Sequence, residues 1–147
     1  MYNFFNTTYE YPWGKCFIGP YDNDQSYYHW LKAQGCEADE WYHYKADGTW
    51  ELADADAVAN CDGLLAVALG AASDTNGMLL RGMVTLDHDP GAVGDPIYLT
   101  TTAGDANATA PSGNGNIVRI IGYKIFHATQ KQIWFNPDGA FVEVTAG

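Results

Sequence analysis

Gly63-Leu64-Leu65-Ala66-Val67-Ala68-Leu69-Gly70 is an unbroken apolar run between two glycines, and Asn116-Ile117-Val118-Arg119-Ile120-Ile121-Gly122 has the same shape further along. Runs this short, bounded by turn residues, read as buried strands rather than helices. What precedes each run also matches. Ala38-Asp39-Glu40-Trp41-Tyr42 parallels Gly94-Asp95-Pro96-Ile97-Tyr98, a glycine-containing turn follows at Gly48 and at Gly104, and alanine-rich polar stretches cover 53–59 and 106–110. The offset drifts from 56 residues (Tyr42 to Tyr98) to 52 (Gly70 to Gly122), and each half ends in a further strand, near 78–81 and 132–135. Two approximate repeats of one β-motif account for this pattern, and so does the ordinary recurrence of strand and turn in any β protein. A true duplication predicts two similar motifs sharing one core.

Outward from that repeat the chain reads as short strands between turns. Glu40–Tyr44 and Thr49–Leu52 flank Lys45-Ala46-Asp47-Gly48, where Asp-Gly suits a hairpin. Met78–Leu86 is a second long apolar run with Gly82 as a bulge position, Pro96–Thr100 follows Gly94-Asp95, and Ile117–Ile125 is a third run with Gly122 inside it. Ile133–Phe135 and Phe141–Val144 flank Asn136-Pro137-Asp138-Gly139, a strong turn signal. The expected fold is all-β: a compact barrel or sandwich of short antiparallel strands spanning residues 38–147.

Residues 1–37 have a different texture. Tyr2, Phe4, Phe5, Tyr9, Tyr11, Trp13, Phe17 and Tyr21 crowd a segment broken by Pro12, Gly14, Gly19 and Pro20. One short helix fits from about Gln25 to Gln34, with Asp24 as N-cap and Gly35 at its end. These eight aromatics are the candidate partner interface, and the segment is expected to be a docking arm.

The 147 residues suffice for one self-supporting domain. Eighteen acids against seven bases give a net charge of −11, which opposes binding to nucleic-acid phosphates and to anionic membranes. Residues 37–62 hold eight of the acids and one base, whereas 112–136 hold Arg119, Lys124 and Lys131 and no acid. That asymmetry suits either two solvated faces or complementary contacts between copies. Charged residues make up 17% of the chain and aromatics 14%, a composition that suits a surface partly covered by a partner. Three widely spaced cysteines, with no CxxC, suit reduced thiols made in a cytoplasm, a Cys16–Cys36 bridge being the leading exception. The first residues lack the pattern of a signal peptide, and the longest apolar run is too short to cross a membrane.

No catalytic signature is present, and the chain is read as a non-enzyme that needs no metal or cofactor. His29, His43, His88 and His127 form no metal-binding pair, and there is no GxSxG, GxGxxG or phosphate-cradling lysine loop. Ser26, Ser73 and Ser112 stand in helix-start or turn contexts. Asp22-Asn-Asp24-Gln-Ser26 lacks the glycine and glutamate of a calcium loop. Asp87-His88-Asp89-Pro90-Gly91 brings three polar ligand types together, but its setting is that of a solvated strand-end turn. Asp54 and Asp56 sit among alanines, without the apolar pocket an acid–base pair needs. Trp41, Trp50 and Trp134 suit either a sugar-stacking platform or core strand positions.

Several ordered segments carry a family resemblance: Leu52-Ala-Asp-Ala-Asp-Ala57, Gly63–Gly70, Gly77-Met-Leu-Leu-Arg-Gly-Met-Val-Thr-Leu86, Gly91–Gly104, Ala110–Tyr123 and Ile133-Trp-Phe-Asn-Pro-Asp138. Together they resemble a β-rich module of tailed-bacteriophage structural proteins, found in head-decoration and fibre proteins, over about residues 40–144. The resemblance implies a virion protein made in the host cytoplasm, partnered with capsid or tail proteins and homo-oligomeric, with a trimer as the common form. Capsid decoration or cement is the expected role. A tail, neck or head fibre or baseplate component is the alternative, and a carbohydrate-binding host-attachment module the second.

Overall fold

The computed structural model describes residues 16–18, 40–125 and 131–147. They form strands β1 (Cys16–Ile18), β2 (Trp41–Tyr44), β3 (Trp50–Leu52), β4 (Leu65–Ala68), β5 (Met78–Thr85), β6 (Pro96–Leu99), β7 (Ala106–Asn107), β8 (Ile117–Val118), β9 (Ile120–Lys124), β10 (Gln132–Phe135) and β11 (Val142–Glu143). Among the described residues, helix is limited to a 3₁₀ turn at Val58–Asn60 and one α-helical turn at Ser73–Asn76. The all-β reading holds. The short helix expected at 25–34 lies outside the described residues.

The main sheet is antiparallel, in the order β3-β2-β4-β5-β10-β9-β6-β7, with β1 paired to β5 beside that path. This order is a palindrome of the repeat. With β2, β3, β4 and β5 matched to β6, β7, β9 and β10, each half runs from an outer hairpin to an inner last strand. The halves meet where β5 pairs with β10, from Gln132 opposite Thr85 to Phe135 opposite Gly82. The two motifs seen in the sequence are thus related by a pseudo-two-fold within one continuous sheet.

The sheet curls into a half-barrel, and its outer hairpins come together. Gly104 N–H donates to the Ala53 oxygen at 2.8 Å, Ala55 N–H to the Thr100 oxygen at 2.8 Å, and Trp41 N–H to the Gly104 oxygen at 3.3 Å. Only glycine fits at 104: its φ is +80°, and a Cβ there would stand 2.9 Å from Leu52 Cδ2 and 3.1 Å from the Glu40 carboxyl carbon.

Side chains alternate across a strand, so each strand feeds two faces. The inner face gathers Trp41, Leu65, Val67, Leu79, Val84, Ile97, Leu99, Ile121, Ile133 and Phe135 into the main core. Each such side chain contributes about 1.5–3 kcal/mol on burial. On the other face of the first half, Tyr42, Trp50, Ala66, Ala68 and Met78 form a second buried cluster. Along β5 the inward positions are Leu79 and then Val84, an odd spacing that strict alternation forbids. The phase flips near Gly82, where the sequence suggested a bulge. β9 is irregular next to Gly122, where Ile97 pairs with Gly122 but Tyr98 pairs with Ile120.

Two expectations change. The run Ile117–Ile125 is not one strand. It breaks at Arg119 into β8 and β9, which belong to different sheets, because Arg119 turns its guanidinium inward to backbone oxygens. The strands flanking 136–139 do not pair with each other either. β10 joins the main sheet, and β11 pairs with β8 through Val142–Val118 and Glu143–Ile117.

Candidate functional site

Ile133 and Phe135 face the core, so the alternation of β10 directs Trp134 to the outer face. Register then builds a row. Trp134 stands opposite Met83 on β5 and opposite Tyr123 on β9, and Tyr123 stands opposite Pro96 on β6. Directly opposed side chains on one face lie close enough to pack. Met83–Trp134–Tyr123–Pro96 is therefore one apolar and aromatic band across four strands. Tyr123 is 44% exposed, and Met83, Trp134 and Pro96 are half-buried. The Arg81 guanidinium carbon lies 5.6 Å from the centre of the Trp134 ring, a cation–π contact worth about 0.5–1 kcal/mol. Gln132 Nε2 donates to Thr85 Oγ1 at 2.9 Å beside the band. Arg81, Thr85, Gln132 and Tyr98 around it bring one cation and no carboxylate, in a chain with eighteen acids. Further exposed apolar groups among the described residues are Leu64, Val93, Phe141 and Val142, the last two at and next to β11.

No family model, curated protein or solved structure matches the chain.

The three tryptophans divide. Trp41 and Trp50 are each 1% exposed, Trp41 in the main core and Trp50 in the outer cluster of the first half, edge-on to Tyr44 with ring centres 4.8 Å apart. They have no face to offer a sugar. Only Trp134 reaches the surface, and the Ile-Trp-Phe alternation around it was the signal that could have separated it from the other two.

Two of the three cations in the basic stretch 112–136 are buried, and Lys131 is exposed. Arg119 is 4% exposed and Lys124 1%. Arg119 Nε donates to the Asp138 oxygen at 2.7 Å, Nη2 to the Gly63 oxygen at 2.9 Å, and Nη1 to the Cys61 oxygen. Lys124 Nζ lies 3.2 Å from Asp89 Oδ1. These cations are used inside the fold, so complementary contacts between copies do not start from them.

The segment Asp87–Gly91 is a strap. His88 Nδ1 is 2.6 Å from Asp87 Oδ1 and its Nε2 is 2.9 Å from the Ala106 oxygen, while Lys131 Nζ donates to the Asp87 oxygen and Ala108 N–H to the Pro90 oxygen at 2.9 Å. Burial pulls the His88 pKa down, but the hydrogen bonds to Asp87 and Ala106 and the nearby Asp105 carboxylate outweigh it, and the net shift is upward. His43 is the opposite case. It is 3% exposed, neither ring nitrogen has a hydrogen-bond partner among the described residues, and burial holds its pKa below the ordinary value. Among the described residues, no three His, Cys, Asp or Glu side chains converge as a metal site requires.

Of the interface residues expected from sequence, Tyr2, Phe4, Phe5, Tyr9, Tyr11, Trp13 and Tyr21 lie outside the described residues. Phe17 sits in β1, paired with Leu79. His29, His127, Ser26, Cys16–Cys36 pairing and the Asp22–Ser26 stretch are likewise not described. Asp54 Oδ1 accepts from Asp56 N–H at 2.9 Å and from Asn60 Nδ2 at 3.0 Å, which makes residues 54–56 an Asx turn.

Proposed function

We propose that this chain is a surface component of a tailed-phage virion, a capsid decoration or cement protein that acts as a homo-oligomer, in the trimeric form its resemblance implies. The observation that carries the reading is the Met83–Trp134–Tyr123–Pro96 band. It places aromatic side chains in register on an outer face where the flanking described residues Arg81, Thr85, Gln132 and Tyr98 carry no carboxylate, within an acid-rich chain. Interface cores are depleted in charge and enriched in Tyr, Trp and Met, and this band has that composition. The sequence likeness over about 40–144 and the aromatic segment 1–37 support the same reading. The role is mechanical rather than catalytic: binding the assembled shell, and not its dissociated subunits, stabilises the shell by mass action.

Quantitative mass spectrometry of purified particles tests this. A cement protein is present in many copies, in fixed ratio to the major capsid protein. A fibre is present in a few copies, and a protein absent from the particle sinks the proposal. Since β1 belongs to the sheet, the arm is best tested by deleting residues 1–15, ahead of it. The expected result is a folded protein that no longer incorporates. Trp134→Ala together with Tyr123→Ala is expected to weaken incorporation while leaving the fold intact, because neither side chain belongs to the main core.

A further inference from the structure

The two halves of the chain contain the same turn with different chemistry. In Ala53-Asp-Ala-Asp-Ala57, Asp54 Oδ1 accepts from the N–H of Asp56 at 2.9 Å; in Ala106-Asn-Ala-Thr-Ala110, Asn107 Oδ1 accepts from the N–H of Thr109 at 2.7 Å. Each turn follows the outer hairpin of its half. The first is ionic. In the second, an amide and a hydroxyl stand where the carboxylates were, and no acid occurs between Asp105 and Asp138.

The neutral turn lines a groove of about 290 Å³ between the end of the β6–β7 hairpin and the loop that leads to β8. This is close to the small end of ligand-site volumes, roughly 300–1,000 Å³. Thr101, Asn107, Thr109 and Ser112 line it, which brings three hydroxyl side chains and an amide side chain to the groove. The Pro111 ring adds a small apolar wall, and no lining side chain is ionisable.

We infer that this groove binds a neutral oligosaccharide. A hydroxyl both donates and accepts, as does each hydroxyl of a sugar, so three hydroxyls and an amide match a pyranose edge. Without a charged lining group, an ionic ligand gains nothing there. The acids beside it, Asp56 in contact with Asn116 at 3.5 Å and Asp105, repel anions. Pro111 suits the C–H face of the ring. The inference concerns a site separate from the aromatic band and does not depend on the virion reading.

The test is a printed array of neutral, uronic-acid and sialic-acid glycans probed with the labelled full chain, followed by titration of the glycans that bind. Binding to neutral glycans and not to acidic ones is expected. Asn107→Asp keeps the turn, since Asp54 makes the same bond in the first half, but removes the amide donor. It is expected to weaken binding about tenfold, as is Ser112→Ala, each with unchanged thermal unfolding. Trp134→Ala is expected to leave binding unchanged. Binding to no neutral glycan overturns the inference, as does binding to acidic glycans or peptides instead, or binding that Trp134→Ala abolishes and Asn107→Asp does not.

Discussion

Arg119 and Asp138, nineteen residues apart, are joined by a 2.7 Å hydrogen bond from Nε to the backbone oxygen, and the same guanidinium holds the oxygens of Cys61 and Gly63. One buried cation thus ties the turn after β10 to the loop before β4 at the point where β8 and β9 separate. Removing it leaves three backbone oxygens unpaired and opens a void. Arg119→Met is expected to destabilise by about 3 kcal/mol or more, read by urea unfolding. Arg119→Lys keeps the charge without the planar fork and is expected to recover only part of that loss. Arg81→Met, on the surface, is expected to stay within about 0.5 kcal/mol of the parent.

Gly122 tests the register of the second half. A Cβ there would fall far inside contact distance of the Trp134 backbone oxygen, with the Phe135 Cα just beyond. Backbone cannot yield as a flexible side chain does. Gly122→Ala is expected to cost about 1–3 kcal/mol and to disturb the Trp134 and Tyr123 amide resonances in particular. A neutral effect contradicts the β9–β10 pairing described above.

The two described histidines set opposite limits on pH. The His88 pKa is raised above 6.5 in the folded state, so its contribution is full below pH 6.5 and is lost as pH rises through the folded value. The His43 pKa is lowered below 6.5 by burial, against the pull of Glu51, Asp62 and Asp54 and with the help of Lys45. The unfolded chain therefore takes up the proton first, and stability falls as pH drops below 6.5. Unfolding midpoints measured from about pH 5 to pH 9 are expected to decline on both sides of neutrality. His88→Gln flattens the alkaline side and His43→Leu reduces the acid side. Identical profiles for all three proteins would count against both assignments.

Cys61 is fully buried, and its thiol hydrogen-bonds the Ala57 oxygen at 3.3 Å; burial pushes its pKa up to about 11. Thiolate is the reactive form, so Cys61 is expected to react with a disulfide reagent only through opening of the fold. Site-resolved mass spectrometry of labelled protein, with and without denaturant, checks this. Rapid labelling of native Cys61 contradicts its placement in the core.

The parts of this fold governed by local chemistry were legible in the sequence. Asp47-Gly48 marked the β2–β3 hairpin, glycines bounded β4, and the matched runs suggested two similar motifs, though not the order of their strands. The rest depends on contacts distant in sequence. Nothing near Arg119 says that Cys61 and Gly63 will be there to receive it, so the run 117–125 read as one strand. The turn at 136–139 fixes a change of direction but not a partner, so β11 pairing with β8 was not visible. Trp134 was read together with Trp41 and Trp50 as either platform or core; only its neighbours Ile133 and Phe135 facing the core, and register across β5, β9 and β6, set it on the outer face beside Met83, Tyr123 and Pro96.

If the protein is the capsid cement proposed above, another virion protein covers the outer band. Cryo-electron microscopy of phage particles carrying this chain decides the matter. The expected result is many copies seated over junctions between capsid subunits, with Trp134 and Tyr123 buried against a neighbour. Particles that lack the chain, or that hold it with the Met83–Trp134–Tyr123–Pro96 band turned to solvent, contradict it.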